Sequence, residues 1–270
     1  IKALLKFRPS DFKPKFPAVV EPRTGKSMGQ HTEIMAKEWG ITREEQDQLA
    51  YESHIKAAKA YDEGFYDDLV FKFKGLAKDS IVRGDTTLEK MAKLRTVFDK
   101  TPAGTLTAAN STALTDGASA VLLASEDYAN KMGWPILAYF RDAESSAVDF
   151  VGGKGLLMAP TVAVGKLLKR QTLAFPDIDY FEVHEAFAAQ ALCTFKAWES
   201  EEYCKKEIGL EAALGEVPRE KLNIKGGSVA VGHPFGATGG RIVGGLAKTL
   251  STGTAKKGLI SICTGGGMGV

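Results

Sequence analysis

Three short segments carry residue types that could do chemistry together, and each follows a short apolar run. Residues 184–190 read His-Glu-Ala-Phe-Ala-Ala-Gln, and residues 263–269 read Cys-Thr-Gly-Gly-Gly-Met-Gly. Between them lies a glycine-rich stretch, residues 226–239, with a histidine at position 233. Ligands of α/β proteins bind beyond the carboxyl ends of the strands, so the three segments are candidates for one site.

His184 follows a predicted strand, residues 180–183, and precedes a helix predicted from about Glu185. Free N–H groups and a positive field at a helix N-terminus disfavour a charged imidazole. A neutral imidazole donates one hydrogen bond and accepts another, so His184 could hold a water molecule or a carbonyl oxygen. A purely structural histidine is the alternative that this position alone leaves open.

His233 stands between Gly232 and Pro234, and the proline restricts its backbone toward extended conformations. Gly236 and Gly239 then allow a close approach before the next predicted helix. The stretch matches neither G-x-x-x-x-G-K-[ST] nor G-x-G-x-x-G, so a phosphate-binding loop is not predicted. A histidine held rigidly in such a loop fits proton transfer, with packing as the alternative.

Cys263 ends a predicted apolar strand, and a lone cysteine there is usually a small core residue. The glycines after it favour a functional reading, because they leave N–H groups free to bind an oxyanion. Cys193 and Cys204 fall in a predicted helical stretch and are interpreted as packing residues. Three cysteines without C-x-x-C spacing predict neither a disulfide framework nor a metal site.

The bulk composition is that of a globular protein, with 270 residues, 44% hydrophobic and 25% charged. A net charge of +2 does not favour nucleic acid as partner. No apolar run reaches the roughly 20 residues of a transmembrane segment, and no secretory signal is recognised. A cytoplasmic location is expected, or the mitochondrial matrix for a eukaryotic source. Residues 1–26 carry seven Lys/Arg and two Asp/Glu, which predicts an extended basic segment. It is interpreted as a positive surface near a phosphate-bearing ligand, with a solvated connection as the alternative. A nucleic-acid arm is disfavoured because no binding motif follows it.

Helices dominate the predictions for the first 112 residues. Thr42 and Glu45 have capping-box spacing and open a helix that Gly64 closes. Residues 86–89 repeat the pattern before three apolar residues on one helical face: Met91, Leu94 and Phe98. Two histidines lie among charged residues of predicted helices and are expected at the surface: His31 and His54.

Strand-like runs alternate with helical stretches in the rest of the chain, which predicts a layered α/β architecture. Strands are predicted at residues 118–124, 136–140, 180–183, 228–231 and 259–263. Helices are predicted to begin at Ser125, Pro160, about Glu185 and Arg241. Gly133 is predicted to end the first of them.

Taken together, these segments resemble the thiolase family over essentially the whole chain, in the family's order and at its spacing. Further stretches look like the family's substrate-loop region: residues 27–29, 91–95, 104–110 and 116–118. Many thiolases carry Asn where this chain has His184. The His-Glu-Ala-Phe version resembles the subgroup of trifunctional-complex β-subunits and related acetyl-CoA acetyltransferases.

The resemblance implies a thiolase-type layered αβαβα fold, with the second half complete and a substrate-loop domain. Residues 1–112 would be the substrate-loop (CoA-binding) domain, 113–134 the tail of the first half, and 135–270 the C-terminal half. It also implies acyl transfer between CoA thioesters through an acyl-cysteine, converting 3-oxoacyl-CoA and CoA to acyl-CoA and acetyl-CoA or the reverse. CoA and acyl-CoA are then substrates, and neither a cofactor nor a metal is expected. A homodimer or dimer of dimers is implied, or a place in a β-oxidation complex.

The resemblance also implies a role for each site residue. His233 would activate the nucleophilic cysteine and help bind the thioester oxygen, and His184 would fix a water that completes this oxyanion hole. The Gly265 N–H would contribute to a second oxyanion hole. Cys263 would be the acid/base at the substrate α-carbon or the CoA sulfur, usable near neutral pH after a modest fall from a thiol pKa of about 8.5. The CoA and pantetheine tunnel would be lined by Met28, Arg83, Phe98, Ala108, Thr112, Met158, Ala186 and Phe187, with Lys90 where many relatives have a small polar residue.

One departure concerns the nucleophile, which the family places N-terminal to the region matching Met28. This chain has no cysteine before Cys193. We therefore expect a truncated or incompletely represented thiolase that is inactive and folds poorly on its own, with residues 118–124 short of neighbours. The alternative is a non-catalytic acyl-CoA-binding or scaffolding subunit, and the mass of the native polypeptide distinguishes the two.

Overall fold

Two capped helices begin the computed structural model, which describes residues 19–270. Helix α1, Met28–Glu38, starts at a capping box made by Ser27 and Gln30. Helix α2, Arg43–Asp62, starts at the predicted box: the Thr42 hydroxyl accepts from Glu45 N, and the Glu45 carboxylate accepts from Thr42 N. Gly64, at φ 73°, follows the end of α2 as predicted.

The capping box predicted at residues 86–89 is wrong by one residue. Helix α3, Leu88–Ala92, is capped by Thr87, whose hydroxyl accepts from Lys90 N. The predicted helical face past Met91 does not form, because Thr96 pairs with Thr107 and takes the backbone away from the helix axis. Exposed Leu94 and partly buried Phe98 therefore lie outside any helix.

Two small sheets hold the second part of the chain together. Strand β2, Tyr180–Val183, lies parallel to β3, Gly258–Ser261, with Phe181 opposite Leu259. The other sheet is antiparallel in the order β1-β5-β4, formed by Ser146–Ala147, Met268–Gly269 and Cys263–Thr264. The strand predicted at 180–183 is confirmed, and the one predicted at 259–263 is interrupted at Ile262.

Helices cover these sheets and enclose the core. Helix α4 is Glu126–Met132, capped by Ser125 and ended by Gly133 in the left-handed conformation, as predicted. The remaining helices are α5 (Ala159–Gln171), α6 (Ala188–Glu199), α7 (Glu201–Tyr203), α8 (Ser228–Val231) and α9 (Phe235–Thr252). A π-helical turn, Cys204–Ile208, and two 3₁₀ turns, Phe175–Asp177 and Arg219–Lys221, complete the elements. The largest fully buried side chains include Trp198, Phe181, Met35, Met158 and Leu168.

Several predicted strands are wrong. Residues 118–124 and 136–140 form no strand, and Leu122, Leu123 and Phe140 are exposed. A strand is stable only when another strand accepts its backbone hydrogen bonds, and no strand within residues 19–270 pairs with either of these two segments.

Residues 228–231 form the short helix α8 rather than the predicted strand. A short apolar run that is buried on all sides has no periodicity to separate strand from helix. Helix α9 starts at Phe235 rather than Arg241, so Gly236 and Gly239 lie in its first turns and not in a loop. Helix α6 starts at Ala188 rather than near Glu185.

The surface positions predicted for His31 and His54 are also wrong, because both side chains are buried. His31 Nε2 lies 2.7 Å from Thr24 Oγ1, and His54 accepts a hydrogen bond from a backbone N–H. The buried positions of Cys193 and Cys204 agree with the packing role assigned to them. The basic segment predicted at residues 1–26 falls mostly outside the described residues. None of the helices described within residues 19–270 is long and apolar enough to cross a membrane.

Candidate active site

His184 lies directly after strand β2, where its backbone N–H continues the parallel pairing by donating to Ser261 O at 2.8 Å. Its side chain is 1% exposed, and its Nδ1 lies 2.7 Å from Ser228 Oγ. Burial lowers the pKa of His184 well below its ordinary value, and the neighbouring His233 and Arg241 lower it further. The imidazole is therefore neutral near pH 7.

His233 lies beside His184, with a distance of 4.4 Å between the two ring centroids. Its backbone N–H donates to Ala113 O at 2.9 Å, and its Nδ1 is 2.7 Å from Thr238 Oγ1. The ring is half-buried, and burial together with Arg241 lowers its pKa. The two histidines that the motifs singled out thus meet at one point of the fold.

Gly232 is required in front of His233 for two reasons. Its φ of 87° lies in the region that favours glycine. A Cβ at this position would also stand 2.7 Å from the Thr115 side chain. The backbone therefore turns here in a way that no other residue allows without strain, and this turn sets where the His233 ring lies.

A segment at residues 110–114 joins the two histidine loops. Thr112 N donates to Ala186 O at 3.1 Å, and the Thr112 hydroxyl donates to Ser228 O at 2.5 Å. Ala188 N donates to Asn110 O at 2.9 Å, and Leu114 pairs with His233 in a parallel bridge. Through these hydrogen bonds, Thr112 and Ala186 hold together the two loops that carry the histidines.

Glu185, the second residue of the His-Glu-Ala-Phe motif, also holds these loops in place, through contacts that no local sequence pattern predicts. Its buried carboxylate accepts from Ser53 Oγ at 2.7 Å, Asn223 Nδ2 at 2.6 Å and Val229 N at 3.2 Å. Burial raises its pKa in spite of these hydrogen bonds. A Cβ on Gly227 would stand 2.3 Å from the carboxylate carbon, so glycine is needed for this approach.

Cys263 lies in strand β4, opposite Gly269, and is 5% exposed. Burial raises the pKa of its thiol to about 12. The expected modest downward shift is therefore wrong, because the apolar surroundings disfavour the thiolate. The thiol is therefore protonated near neutral pH. Gly265 follows in the turn after β4, where a Cβ would meet no atom within 4 Å, so this side of the turn faces open space.

The residues expected along the CoA tunnel fall into separate groups. Arg83 and Ala108 line a cavity of about 430 Å³ that also touches Lys90, whose Nζ donates to Asp85 O at 2.8 Å. Four others belong to the apolar core or pack against it: Met28, Phe98, Met158 and Phe187. Phe98 meets Phe187 edge to face, with the ring centroids 5.7 Å apart.

A second cavity of about 570 Å³ opens beside His233, lined by residues 114–119 and 233–237. The cavity is bordered by His233 on one side and by the start of the exposed segment 118–124 on the other. In the part of the chain that the structure describes, no group of three or more His, Cys, Asp or Glu side chains could hold a metal ion.

His54 lines the 430 Å³ cavity, and its Nδ1 accepts from Arg83 N at 3.2 Å. Burial and the Arg83 charge lower the pKa of His54 to about 4. As pH falls from the unfolded value of about 6.5, the unfolded chain binds a proton that the folded chain does not, so stability is lost.

His54→Asn keeps an acceptor and cannot titrate, so it should lose less stability on acidification than the wild type. Urea midpoints of both proteins at about pH 7 and about pH 5 measure this difference. Equal acid-induced losses would show that His54 is not buried in neutral form.

Known proteins are similar to this chain over nearly its whole length, and not only in the three motifs. Residues 13–127 match the family description "Thiolase, N-terminal domain", and residues 134–270 match "Thiolase, C-terminal domain". The crystal structure of the Bacillus anthracis acetyl-CoA acetyltransferase superposes with a TM-score of 0.77 at 32% identity, covering 97% of this chain and 66% of that one. The thiolase-type fold is thereby confirmed.

Curated relatives are similar along the full length of the chain. The 3-ketoacyl-CoA thiolase of Pectobacterium atrosepticum is 43% identical over 275 residues, covering 100% of this chain and 62% of that protein. The mitochondrial trifunctional enzyme subunit beta of Mus musculus is 43% identical over 273 residues, covering 100% and 57%. The chain spans about three fifths of the length of these relatives. It belongs to the thiolase family.

Proposed function

We propose that the complete protein carrying this chain is a thiolase. It would convert 3-oxoacyl-CoA and CoA to acyl-CoA and acetyl-CoA, or catalyse the reverse condensation. The observation that carries the proposal is the pair of histidines, whose rings lie 4.4 Å apart between the end of β2 and the glycine turn. The test is a thiolysis assay of the complete protein with acetoacetyl-CoA and CoA.

The chemistry needs an acyl-cysteine, and the nucleophile would come from a segment outside these 270 residues. His233 would take the proton of that thiol, and the thiolate would attack the 3-oxo carbon. The bond between C2 and C3 then breaks, and its electron pair leaves as the acetyl-CoA enolate. The Cys263 thiol would protonate the enolate α-carbon, a role that suits a thiol kept protonated by burial.

The second half-reaction would return Cys263 to its thiol form. The CoA sulfhydryl gives its proton to the Cys263 thiolate, and the CoA sulfur attacks the acyl-cysteine. Acyl-CoA is released, and the nucleophilic thiolate takes its proton back from His233, so the protons balance over the cycle. Negative charge develops on a thioester oxygen in both halves, and each preorganised donor aimed at that oxygen stabilises it by about 3 kcal/mol. His184, His233 and the Gly265 N–H are the proposed donors.

The CoA portion of the substrate would follow the residues expected along the tunnel. Arg83 and Lys90 give the 430 Å³ cavity a cationic rim that suits phosphate groups, and Ala108 leaves room beside them. Met28, Phe98, Met158 and Phe187 would give the pantetheine arm apolar contacts. Thr112 and Ala186 would act through the backbone that they hold in place.

His184→Asn should retain much more activity than His184→Ala. His184 is buried and neutral, so its role is to position an oxygen rather than to carry a proton, and an amide N–H can take that role. Alanine leaves no donor and should lower kcat by roughly 10²-fold or more. Steady-state thiolysis kinetics of both variants measure the difference. Two equally inactive variants would rule out the positioning role.

A non-catalytic acyl-CoA-binding or scaffolding subunit is the second candidate, because no cysteine precedes Cys193 in this chain. A native polypeptide of about the 29.0 kDa of this chain would favour it. A clearly heavier polypeptide with thiolysis activity would favour the enzyme.

We further propose a homodimer or dimer of dimers for the complete protein, working with acyl-CoA and CoA or within a β-oxidation complex. The similarity to a trifunctional enzyme β-subunit supports the latter. Light scattering after size-exclusion chromatography measures the assembly. A cytoplasmic or mitochondrial matrix location remains a prediction.

A further inference from the structure

Ser228 joins His184 to a charged side chain that the proposed chemistry does not use. The Ser228 Oγ lies 2.7 Å from His184 Nδ1 and accepts from Arg241 Nη2 at 2.8 Å. Ser228 is 1% exposed and is the first residue of α8, so its hydroxyl is held in place. Arg241 projects from helix α9 and is partly buried.

The donors and acceptors at this contact determine where the imidazole proton lies. A guanidinium only donates, so Ser228 Oγ accepts from Arg241 and retains one hydrogen to give. Within residues 19–270, the one acceptor in reach of that hydrogen is His184 Nδ1. The opposite arrangement, with Nδ1–H donating to serine, would leave the buried hydroxyl hydrogen without a partner, at a cost of about 1–3 kcal/mol.

We propose that Ser228, held by Arg241, fixes His184 in the Nε2–H tautomer and thereby aims a neutral N–H at the reacting oxygen. This rests on the proposed thiolase function and makes Ser228 and Arg241 positioning residues. His184 Nε2 is buried and finds no hydrogen-bond partner among the described residues. A buried N–H without a partner in the protein can donate to a bound ligand, and a thioester oxygen or a water bound to it would be the acceptor.

The charge of Arg241 favours the same tautomer of His184 as the hydrogen bonds do. Arg241 places its positive guanidinium one serine away from the imidazole, which opposes protonation of Nδ1. His233, on the other side, binds Thr238 through its own Nδ1 and does not contact Ser228 by any hydrogen bond of the described residues. Different residues therefore orient the two histidines: His184 would be the fixed hydrogen-bond donor, and His233 the proton carrier.

The tautomer can be read by ¹⁵N NMR of the complete protein labelled at histidine. Signals of His184 are assigned by their loss in His184→Asn. We expect a pyrrole-type shift for Nε2 and a pyridine-type shift for Nδ1, and Ser228→Ala should change both. A pyrrole-type Nδ1 in the wild type, or unchanged shifts in Ser228→Ala, would overturn the inference.

Ser53→Ala is the matched control, because this buried serine supports the same loops and its hydrogen bonds go to Glu185 and Gly227 rather than to His184. It donates to Glu185 at 2.7 Å and accepts from Gly227 N at 2.9 Å. It should lower the urea midpoint and leave the His184 shifts unchanged. Altered shifts in Ser53→Ala would mean that any loss of packing disturbs the ring, against a specific role for Ser228.

A double-mutant cycle gives the kinetic test. Ser228→Ala should lower kcat about 10- to 100-fold with little change in KM. The variant no longer fixes the His184 Nε2–H donor, and that donor is needed mainly in the transition state. In the His184→Asn background the same change should cost much less, because an amide has no tautomer to fix. Additive effects would overturn the positioning role. A wild type without thiolysis activity would instead overturn the proposed function, and the NMR result would still decide the tautomer.

Discussion

His233→Ala should slow acylation of the nucleophilic cysteine by roughly 10³-fold or more. The residue would supply both the base for the thiol and a donor for the thioester oxygen, and alanine supplies neither. Its ring lies against an open cavity of about 570 Å³, beside His184. Intact-mass spectrometry of the complete protein after mixing with acetyl-CoA measures the acylated fraction over time.

His31→Ala is a suitable control, because His31 is also a buried histidine but contacts Thr24 and Phe150 rather than the site. It should lower stability and leave the acylation rate near that of the wild type. Acylation of His233→Ala at the wild-type rate would mean that another group activates the cysteine. Thr238→Val should give a smaller loss than His233→Ala, because it removes only the partner of Nδ1.

Elements fixed by local hydrogen bonds could be predicted from the sequence. Thr42 caps α2, and Ser125 and Gly133 bound α4, because each signal acts within a few residues of the chain. Strand formation depends on distant partners, so the apolar run 118–124 looks like a strand and forms none among the described residues. The four-residue run at 228–231 was too short to show a period, and it is a helix.

The same distinction applies to the site. The motifs identified His184 and His233, and the fold places their rings together. The residues that hold them could not be found in this way, since Ser228 and Glu185 acquire their partners from segments far apart in sequence, and Arg241 reaches Ser228 from a different helix. The pKa of Cys263 is another tertiary property, because it depends on how deeply the strand is buried rather than on neighbouring residues in the chain.

Cys263→Ala should lower turnover in acetoacetyl-CoA thiolysis by about 10²- to 10⁴-fold, as expected for the loss of a general acid/base. The fold should be nearly intact, because alanine at a buried cysteine removes a single sulfur atom. Cys193→Ala is the matched control, because it also removes a fully buried sulfur, on α6, and the proposed chemistry assigns no role to it. It should reduce stability slightly and leave turnover near normal.

The protonation state of Cys263 gives the prediction a second readout. In the donor role the thiol must be protonated, so activity that depends on it is lost as pH rises through its pKa. Because burial raises that pKa to about 12, loss of this proton should not limit the rate near the ordinary thiol value of about 8.5. Iodoacetamide at about pH 8.5 should therefore alkylate Cys263 slowly in the folded protein. Near-normal turnover of Cys263→Ala, or rapid alkylation of Cys263, would mean that the residue is not a buried proton donor.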